Sequence, residues 1–199
     1  MRADGWTMTA EVGPRPHERI LETARELFHR YGIRAVGVEA IAEAAGTNKM
    51  TLYRHFGSKD ELVAACLRVV VSESEALWED LRGRHPGDAR AQLRGWIDVL
   101  ADCVLADGRG CALANAAAEL TEPGHPARRV AVEAKEDHRN RLAALCRDAG
   151  IGQADLLADT LCLMIEGARV SRQSAGSNGT GAQFPALAEA VIQAFANWR

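Results

Sequence analysis

Apolar residues recur every three or four positions along most of the chain, which is the period of an amphipathic α-helix. After Pro16, for example, the apolar side chains fall at Ile20, Ala24, Leu27 and Phe28. Runs of strand-forming residues that alternate with polar ones are nearly absent. The pattern predicts about nine helices, over residues 16–31, 38–45, 48–56, 59–81, 88–104, 111–120, 127–149, 154–173 and 184–195.

Turn-forming residues lie between these segments. Gly32 and Gly46 follow the first two helices, and glycine is the residue that most readily ends a helix. Ser58 and Glu61 have the spacing of a capping box at the start of the fourth helix. The run "SAGSNGTGAQ" before the last helix is rich in small and polar residues, and we expect a flexible link there.

Composition supports an all-α protein with a substantial core. Of the 199 residues, 47% are hydrophobic and only 5% are aromatic, and the formal net charge is −3. The five cysteines include no CxxC pair and are odd in number, so we expect reduced thiols and a cytoplasmic protein. Residues 1–15 lack the apolar core of a signal peptide and are predicted to be a flexible arm.

The third helix differs from its surroundings in charge. Leu52 and Phe56 are one turn apart and are expected to anchor it, while no acidic residue occurs from Ala44 to Lys59. Three short helices with a tight glycine turn before the third form a helix-turn-helix pattern. A helix that enters a DNA groove must avoid carboxylates, because phosphates line both walls. The signal is local, since residues 1–62 hold nine basic and nine acidic residues.

The segment from Ile20 to Leu62 resembles the DNA-binding domain of the TetR family of transcriptional regulators. The similarity is carried by "ILETARELFHRYGIRAVGVEAIAEAAG" and, most specifically, by "TLYRHFGSKDEL". The resemblance implies that Asn48, Lys49 and Met50 face bases. The same resemblance implies that phosphates are bound by Thr51, Tyr53, His55 and Lys59.

The geometry of the third helix adds to these roles. With Leu52 inward, a helical wheel points Thr47, Met50 and Arg54 away from the core. The chain departs from the family where a hydroxyl usually caps the second helix, because Gly37 and Val38 stand there.

The resemblance also implies a division into a helix-turn-helix domain (16–62) and a helical regulatory domain (63–199) with a ligand pocket. Large or polar side chains on mostly apolar helices are the candidates for that pocket, although a packing or surface role is the more common one for such residues. The candidates are Trp78, Trp96, Cys103, Asn115, Glu119, His138 and Met164. No cofactor or metal is expected, because the cysteines and histidines lack metal-ligand spacing.

The last two helices carry more apolar surface than one small bundle needs, which is typical of a partner contact. Two such pairs from two chains would form a four-helix interface. The residues expected at this dimer interface are Leu157, Leu161, Met164, Leu187, Val191, Ile192 and Phe195.

Together these observations predict a homodimeric repressor that binds a palindromic operator and is released by a small-molecule effector. The alternative is a helical ligand-binding or thiol- or metal-sensing protein with vestigial DNA binding. The departures at Gly37 and Val38 keep this alternative open, and Cys103 and Cys111, which flank a glycine-rich loop, are its candidate sensing residues. An enzyme is not expected, because no cysteine lies in a catalytic motif.

Overall fold

The computed structural model describes residues 15–197, and most of the predicted N-terminal arm lies outside this range. Nine α-helices and no strands occur in the described chain. They are α1 (Pro16–Tyr31), α2 (Val38–Ala44), α3 (Lys49–Phe56), α4 (Lys59–Arg84), α5 (Ala89–Ala106), α6 (Ala112–Glu119), α7 (Pro126–Asp148), α8 (Ala154–Ala175) and α9 (Phe184–Asn197). The all-α prediction is confirmed, and the helix boundaries differ from those predicted by only a few residues.

Local sequence signals explain several helix ends. Ser58 begins α4 by accepting a hydrogen bond from the backbone N–H of Glu61 at 3.0 Å, and Asp88 does the same for Ala91 at the start of α5. Gly46 follows α2 with a φ of 62°, a conformation that glycine adopts without steric cost. Its geometry allows the sharp turn into α3.

Two apolar cores share the long helix α4. The first core joins α1, α2, α3 and the start of α4, and it also receives Ala116, Leu120 and Ala127 from α6 and α7. The second joins the end of α4 with α5, α7, α8 and α9, with Trp96 at its centre. The predicted domain boundary at residues 62–63 lies inside α4. One continuous helix therefore runs from the first core to the second.

The flexible link predicted before α9 is wrong, because the chain there is folded. Helix α8 extends to Ala175, and two short 3-10 helices follow at Gly176–Asn178 and Thr180–Gln183. Gly181 is buried against the backbone carbonyl of Ala168, so close that a β-carbon on Gly181 would overlap that oxygen. The small residues that suggest flexibility instead permit close packing on α8.

Candidate functional site

Helix α3 is held by the two apolar residues expected to anchor it. Leu52 is fully buried and Phe56 nearly so. Asn48 caps the helix, and its side-chain oxygen accepts a hydrogen bond from the backbone N–H of Thr51 at 2.9 Å. Because the anchors fix one side of this short helix, the opposite side lies on the protein surface.

The outer surface of α3 carries polar, basic and thioether groups. Met50 is 78% exposed, which is a high value for an apolar side chain. Arg54 and His55 are exposed as well, and Thr47, Thr51 and Tyr53 are partly exposed. No acidic side chain belongs to α3 itself. This surface can therefore approach a polyanion without carboxylate repulsion from its own helix.

Two lysines expected to contact DNA are bound within the chain. The Lys49 ammonium lies 2.5 Å from a carboxylate oxygen of Glu39 on α2, and this hydrogen bond raises the pKa of Lys49 and lowers that of Glu39. Lys59 donates a hydrogen bond to the carbonyl of Ile33 at 2.6 Å, and partial burial lowers its pKa. Both cations must leave or share these partners to reach a phosphate.

A cavity of about 420 Å³ opens among α4, α5, α6, α7 and α8, and we name it the effector cavity after the ligand pocket predicted from the sequence. Of the seven predicted pocket residues, Trp78, Cys103 and His138 line it. Trp96 lies behind His138, with ring centroids 5.8 Å apart, and Met164 packs against the second core. The sequence pattern did not single out the other lining residues, among them Val70, Leu77, Val99, Leu100, Leu113 and Ile165.

His138 is the ionisable aromatic group of the effector cavity, and its ring lies 5.5 Å from that of Trp78. Burial lowers its pKa to about 4, and the charges of Lys135 and Arg169 add to the effect. The imidazole is therefore neutral near pH 7. The neutral ring can accept or donate one hydrogen bond. The wall combines apolar residues with seven charged ones, Glu73, Glu75, Lys135, Asp137, Arg139, Glu166 and Arg169, so it suits a ligand that is mostly apolar but carries polar groups.

Asn115 and Glu119, which were also predicted to line a ligand pocket, do not line the effector cavity; both line a second cavity, between α1, α4 and α6. The Asn115 amide donates to the carbonyl of Arg109 at 2.8 Å. A carboxylate oxygen of Glu119 accepts a hydrogen bond from the backbone N–H of Arg34 at 3.0 Å. The main-chain carbonyl of Glu119 accepts a second one from the Arg34 side chain at 2.8 Å. Glu119 therefore joins α6 to the turn between α1 and α2.

The cysteines do not form a metal site in the part of the chain that the structure describes, since no group of three His, Cys, Asp or Glu side chains could hold an ion there. All five cysteines are free thiols. Burial raises the pKa of Cys66 and Cys146 to about 12, so both are unreactive near pH 7.

Known proteins resemble this chain in both sequence and fold. The sequence profile of bacterial regulatory proteins of the tetR family matches residues 20–66. A putative TetR transcriptional regulator of Streptomyces avermitilis shares 30% identity, with a TM-score of 0.78, over 92% of this chain and 98% of that one. The chain belongs to the TetR family.

Further transcriptional regulators resemble the chain. SCO4454, a regulator from Streptomyces coelicolor, superimposes with a TM-score of 0.82 at 28% identity, over 92% of this chain and 96% of that one. The transcriptional activator FasR of Mycolicibacterium smegmatis is 34% identical over 146 residues, which are 69% of this chain and 63% of FasR. The chain spans less than two thirds of the length of FasR and of the next curated relatives that it matches.

Relative to the TetR-family pattern, the start of α2 shows the departure noted in the sequence. Gly37 is the N-cap and makes no side-chain hydrogen bond, and Val38 is buried. Neither residue can offer a hydroxyl to a phosphate. No helix within residues 15–197 is long and apolar enough to cross a membrane.

Proposed function

We propose that this protein is a ligand-responsive transcriptional repressor of the TetR family that acts in the cytoplasm on a palindromic DNA operator. The observation that carries the proposal is the exposed, carboxylate-free surface of α3, held outward by Leu52 and Phe56. Two relatives are named repressors, SCO4008 and KstR2, whereas FasR is named an activator. No catalytic step is assigned to the chain.

In this proposal α3 enters the major groove. Asn48, Lys49 and Met50, at or beside its N-terminus, read base edges, as side chains at that end of a recognition helix can. Thr47 and Arg54 border the same surface. The phosphate contacts come from Thr51, Tyr53, His55 and Lys59, and they fix the position of the helix without reading sequence. Glu39 gives up Lys49 when the helix docks, because a DNA site offers that cation an alternative acceptor.

A charge reversal on α3 tests DNA binding. Arg54→Glu adds a carboxylate to the proposed DNA surface and should abolish binding to the DNA upstream of the protein's own gene, measured by fluorescence anisotropy at several salt concentrations. Arg94→Glu makes the same charge change on the exposed surface of α5 and should leave affinity unchanged. Equal effects of the two variants would reject the recognition surface on α3. A reporter fused to that DNA then separates repression from activation.

The effector is proposed to be a largely apolar small molecule that occupies the effector cavity. The volume of this cavity, about 420 Å³, lies in the range of small-molecule pockets, and just over half of its lining residues are apolar, while most of the others are charged. Helix α6 supplies Leu113 to this cavity, Cys111 just before the helix lines it too, and the same helix holds the Arg34 turn through Glu119. A ligand that displaces α6 would therefore move the turn before α2 and change the fit of α3 to DNA.

A cavity-filling variant tests the effector site. Val99→Trp should remove the thermal stabilisation that an effector identified from a metabolite panel gives to the wild type, while operator binding without ligand is retained. Val132→Trp adds the same side chain at an exposed position of α7 and should leave the ligand response intact. Retention of that response in Val99→Trp would place the effector elsewhere.

The dimer is proposed to form through the outer faces of α8 and α9. Leu157 and Leu161 were expected at this interface, but they are completely buried in the single chain and have no surface to offer a partner. Met164, Val191, Ile192 and Phe195 are partly buried against the second core. The exposed apolar residues on these helices are instead Leu156, Leu163, Val170 and Leu187.

Three of these residues form a regular stripe. Leu156, Leu163 and Val170 are each seven residues apart on α8 and are 53%, 75% and 60% exposed. A seven-residue repeat keeps side chains on one side of a helix, as in paired helices. This stripe, with Leu187 on α9, supports an isologous contact between two copies.

A further inference from the structure

A second cavity of about 350 Å³ lies between α1, α4 and α6, and we name it the junction cavity. It adjoins the first core, and Val70 is the one residue that it shares with the effector cavity. Its floor is apolar and is formed by buried side chains of α1, of α4 and of Ile33 just after α1, together with the partly buried Ala112 of α6. The floor residues are Phe28, Ile33, Val63, Cys66, Leu67 and Ala112.

The Cys66 thiol belongs to this apolar floor in chemical as well as spatial terms. It is buried, and burial raises its pKa to about 12, so the group is neutral near pH 7. Its hydrogen-bond partner is the carbonyl of Leu21 at 3.8 Å. A neutral thiol behaves as a small hydrophobic group. The floor therefore presents no charge to a bound molecule.

The rim of the junction cavity carries three carboxylates, from Glu22, Glu26 and Glu119, and two groups that can be cationic. Both of the latter already have acidic partners: Arg25 lies 2.6 Å from Glu73, and His29 lies 3.1 Å from Asp107.

The three rim carboxylates differ in whether they have a partner within the chain. Glu119 accepts the backbone N–H of Arg34. Glu22 and Glu26 have no ion-pair partner among residues 15–197, and they are one helical turn apart on α1. Like charges at this spacing repel each other. The rim is therefore negative in excess of its own cations.

We propose that the junction cavity binds a small lipophilic cation, whose hydrocarbon part lies on the apolar floor and whose charge lies between Glu22 and Glu26. The volume suits a ligand of this size. A cation would relieve the repulsion between the two carboxylates, whereas an anion of the same shape would add to it. A neutral molecule would gain only the apolar contact.

The position of the cavity gives such binding a consequence for the rest of the chain. Glu119 is on the rim, and its carboxylate also holds the backbone of Arg34 in the turn between α1 and α2. A molecule that fills the cavity would lie beside this carboxylate and would disturb its hydrogen bond to the Arg34 N–H. Occupancy of the junction cavity would then loosen the link between α6 and the first three helices, at a place distinct from the effector cavity.

Binding can be measured on the full chain without DNA. Isothermal titration calorimetry with octyltrimethylammonium, below its critical micelle concentration, should show binding. Octyl sulfate, which has the same alkyl chain and the opposite charge, should not bind at this site. Glu22→Gln with Glu26→Gln should weaken the cation by roughly tenfold or more, because two Coulombic contacts are lost. The matched double variant Glu133→Gln with Glu136→Gln, on the exposed surface of α7, should bind as the wild type does.

Cavity-filling variants locate the site. Ala112→Phe should abolish cation binding, whereas Val99→Trp in the effector cavity should not. If Ala112→Phe does not fold, the paired glutamine variants decide, since Glu22 and Glu26 are exposed and not needed for packing. The proposal is overturned by equal binding of octyl sulfate, by unchanged affinity in the Glu22→Gln/Glu26→Gln protein, or by loss of binding in Val99→Trp. None of these outcomes bears on whether α3 binds DNA.

Discussion

At the scale of single residues, Tyr53 and Met50 test the two kinds of contact proposed for α3. Tyr53→Phe removes one hydroxyl from the flank of the helix and should weaken binding to every DNA sequence by about 0.5–1.5 kcal/mol. Met50→Ala should instead change the preference among base pairs, because Met50 is exposed at the N-terminal half of the helix. Affinities for a set of single-base operator variants distinguish these outcomes. A base-specific loss in Tyr53→Phe would contradict the phosphate role.

His138 should make stability depend on pH. Its pKa is about 4 in the folded chain, below the ordinary value of 6.5, so the unfolded chain binds the proton more readily between these values. Acidification from pH 7 to pH 5 should therefore cost about 2 kcal/mol through this group. Urea unfolding at the two pH values measures the change. His138→Phe should show a smaller loss than the wild type, and an equal loss would mean that His138 is not buried as described.

Some contacts of single residues could be predicted from the sequence, and others could not. The anchoring of α3 by Leu52 and Phe56 followed from helical spacing alone, and the structure confirms that both are buried. The partner of Lys49 could not be found in the same way, because Glu39 lies on another helix and outside the acid-free stretch. Its contact depends on the angle between α2 and α3, which residue spacing does not specify.

At the scale of elements, the contact of α6 with the turn before α2 should be visible in hydrogen exchange. Glu119→Ala removes the acceptor of the Arg34 backbone N–H, so that amide should exchange faster, by about tenfold if the bond contributes about 1.4 kcal/mol to local stability. Asn115→Ala, one turn earlier on α6, should affect the loop at Arg109 instead. No change at Arg34 in Glu119→Ala would show that α6 does not hold this turn.

The 3-10 segment before α9 should be sensitive to the size of Gly181. Gly181→Ala introduces a methyl group into the carbonyl of Ala168, so the segment must move off α8, and we expect a loss of about 1–3 kcal/mol in unfolding free energy. Gly167→Ala on the exposed face of α8 has free space and is the control; it should be neutral or stabilising. Thermal or urea unfolding of both variants measures the difference.

Helices were predictable because their signals are local, and the 3-10 segment was not because its signal is tertiary. Ser58 and Asp88 cap their helices through residues three positions away. The order in the segment from Ser174 to Gln183 depends on Gly181 meeting Ala168, and composition alone suggests a loose link there. The lining of the effector cavity was predicted only in part for the same reason. Trp78, Cys103 and His138 were predicted, but the other lining residues are brought together from separate helices by tertiary packing.

At the scale of the whole molecule, the exposed stripe on α8 predicts which substitution would disrupt the proposed dimer. Leu163→Asp places two unpaired carboxylates in an apolar two-fold contact and should produce monomers at micromolar concentration. Light scattering measures the mass, and operator titration on the same sample should show loss of the tight, spacing-dependent binding. Asp159→Asn, on the same helix, is a conservative control that should remain dimeric. A dimeric, stably folded Leu163→Asp protein would move the interface away from this stripe.

The proposed dimer surface shows how burial separates residues that periodicity groups together. Leu156 and Leu157 are neighbours in an apolar run, yet the first is half exposed and the second is completely buried. A helix that is apolar on two sides gives no sign, from sequence alone, of which side meets its own core. The packing of α8 on α7 and α9 decides this.

The ion pair between Glu39 and Lys49 bears on how long the proposed regulator would stay at non-specific sites on DNA. Non-specific attraction to DNA depends on free cations that release counterions, and residues 1–62 have balanced formal charges. Because one cation of α3 is already paired, the protein should bind non-specific DNA weakly, and its residence time there should be short. Short residence at non-specific sites leaves more time to search for the operator. The ion pair would therefore favour a fast search for the operator over a high affinity for DNA in general.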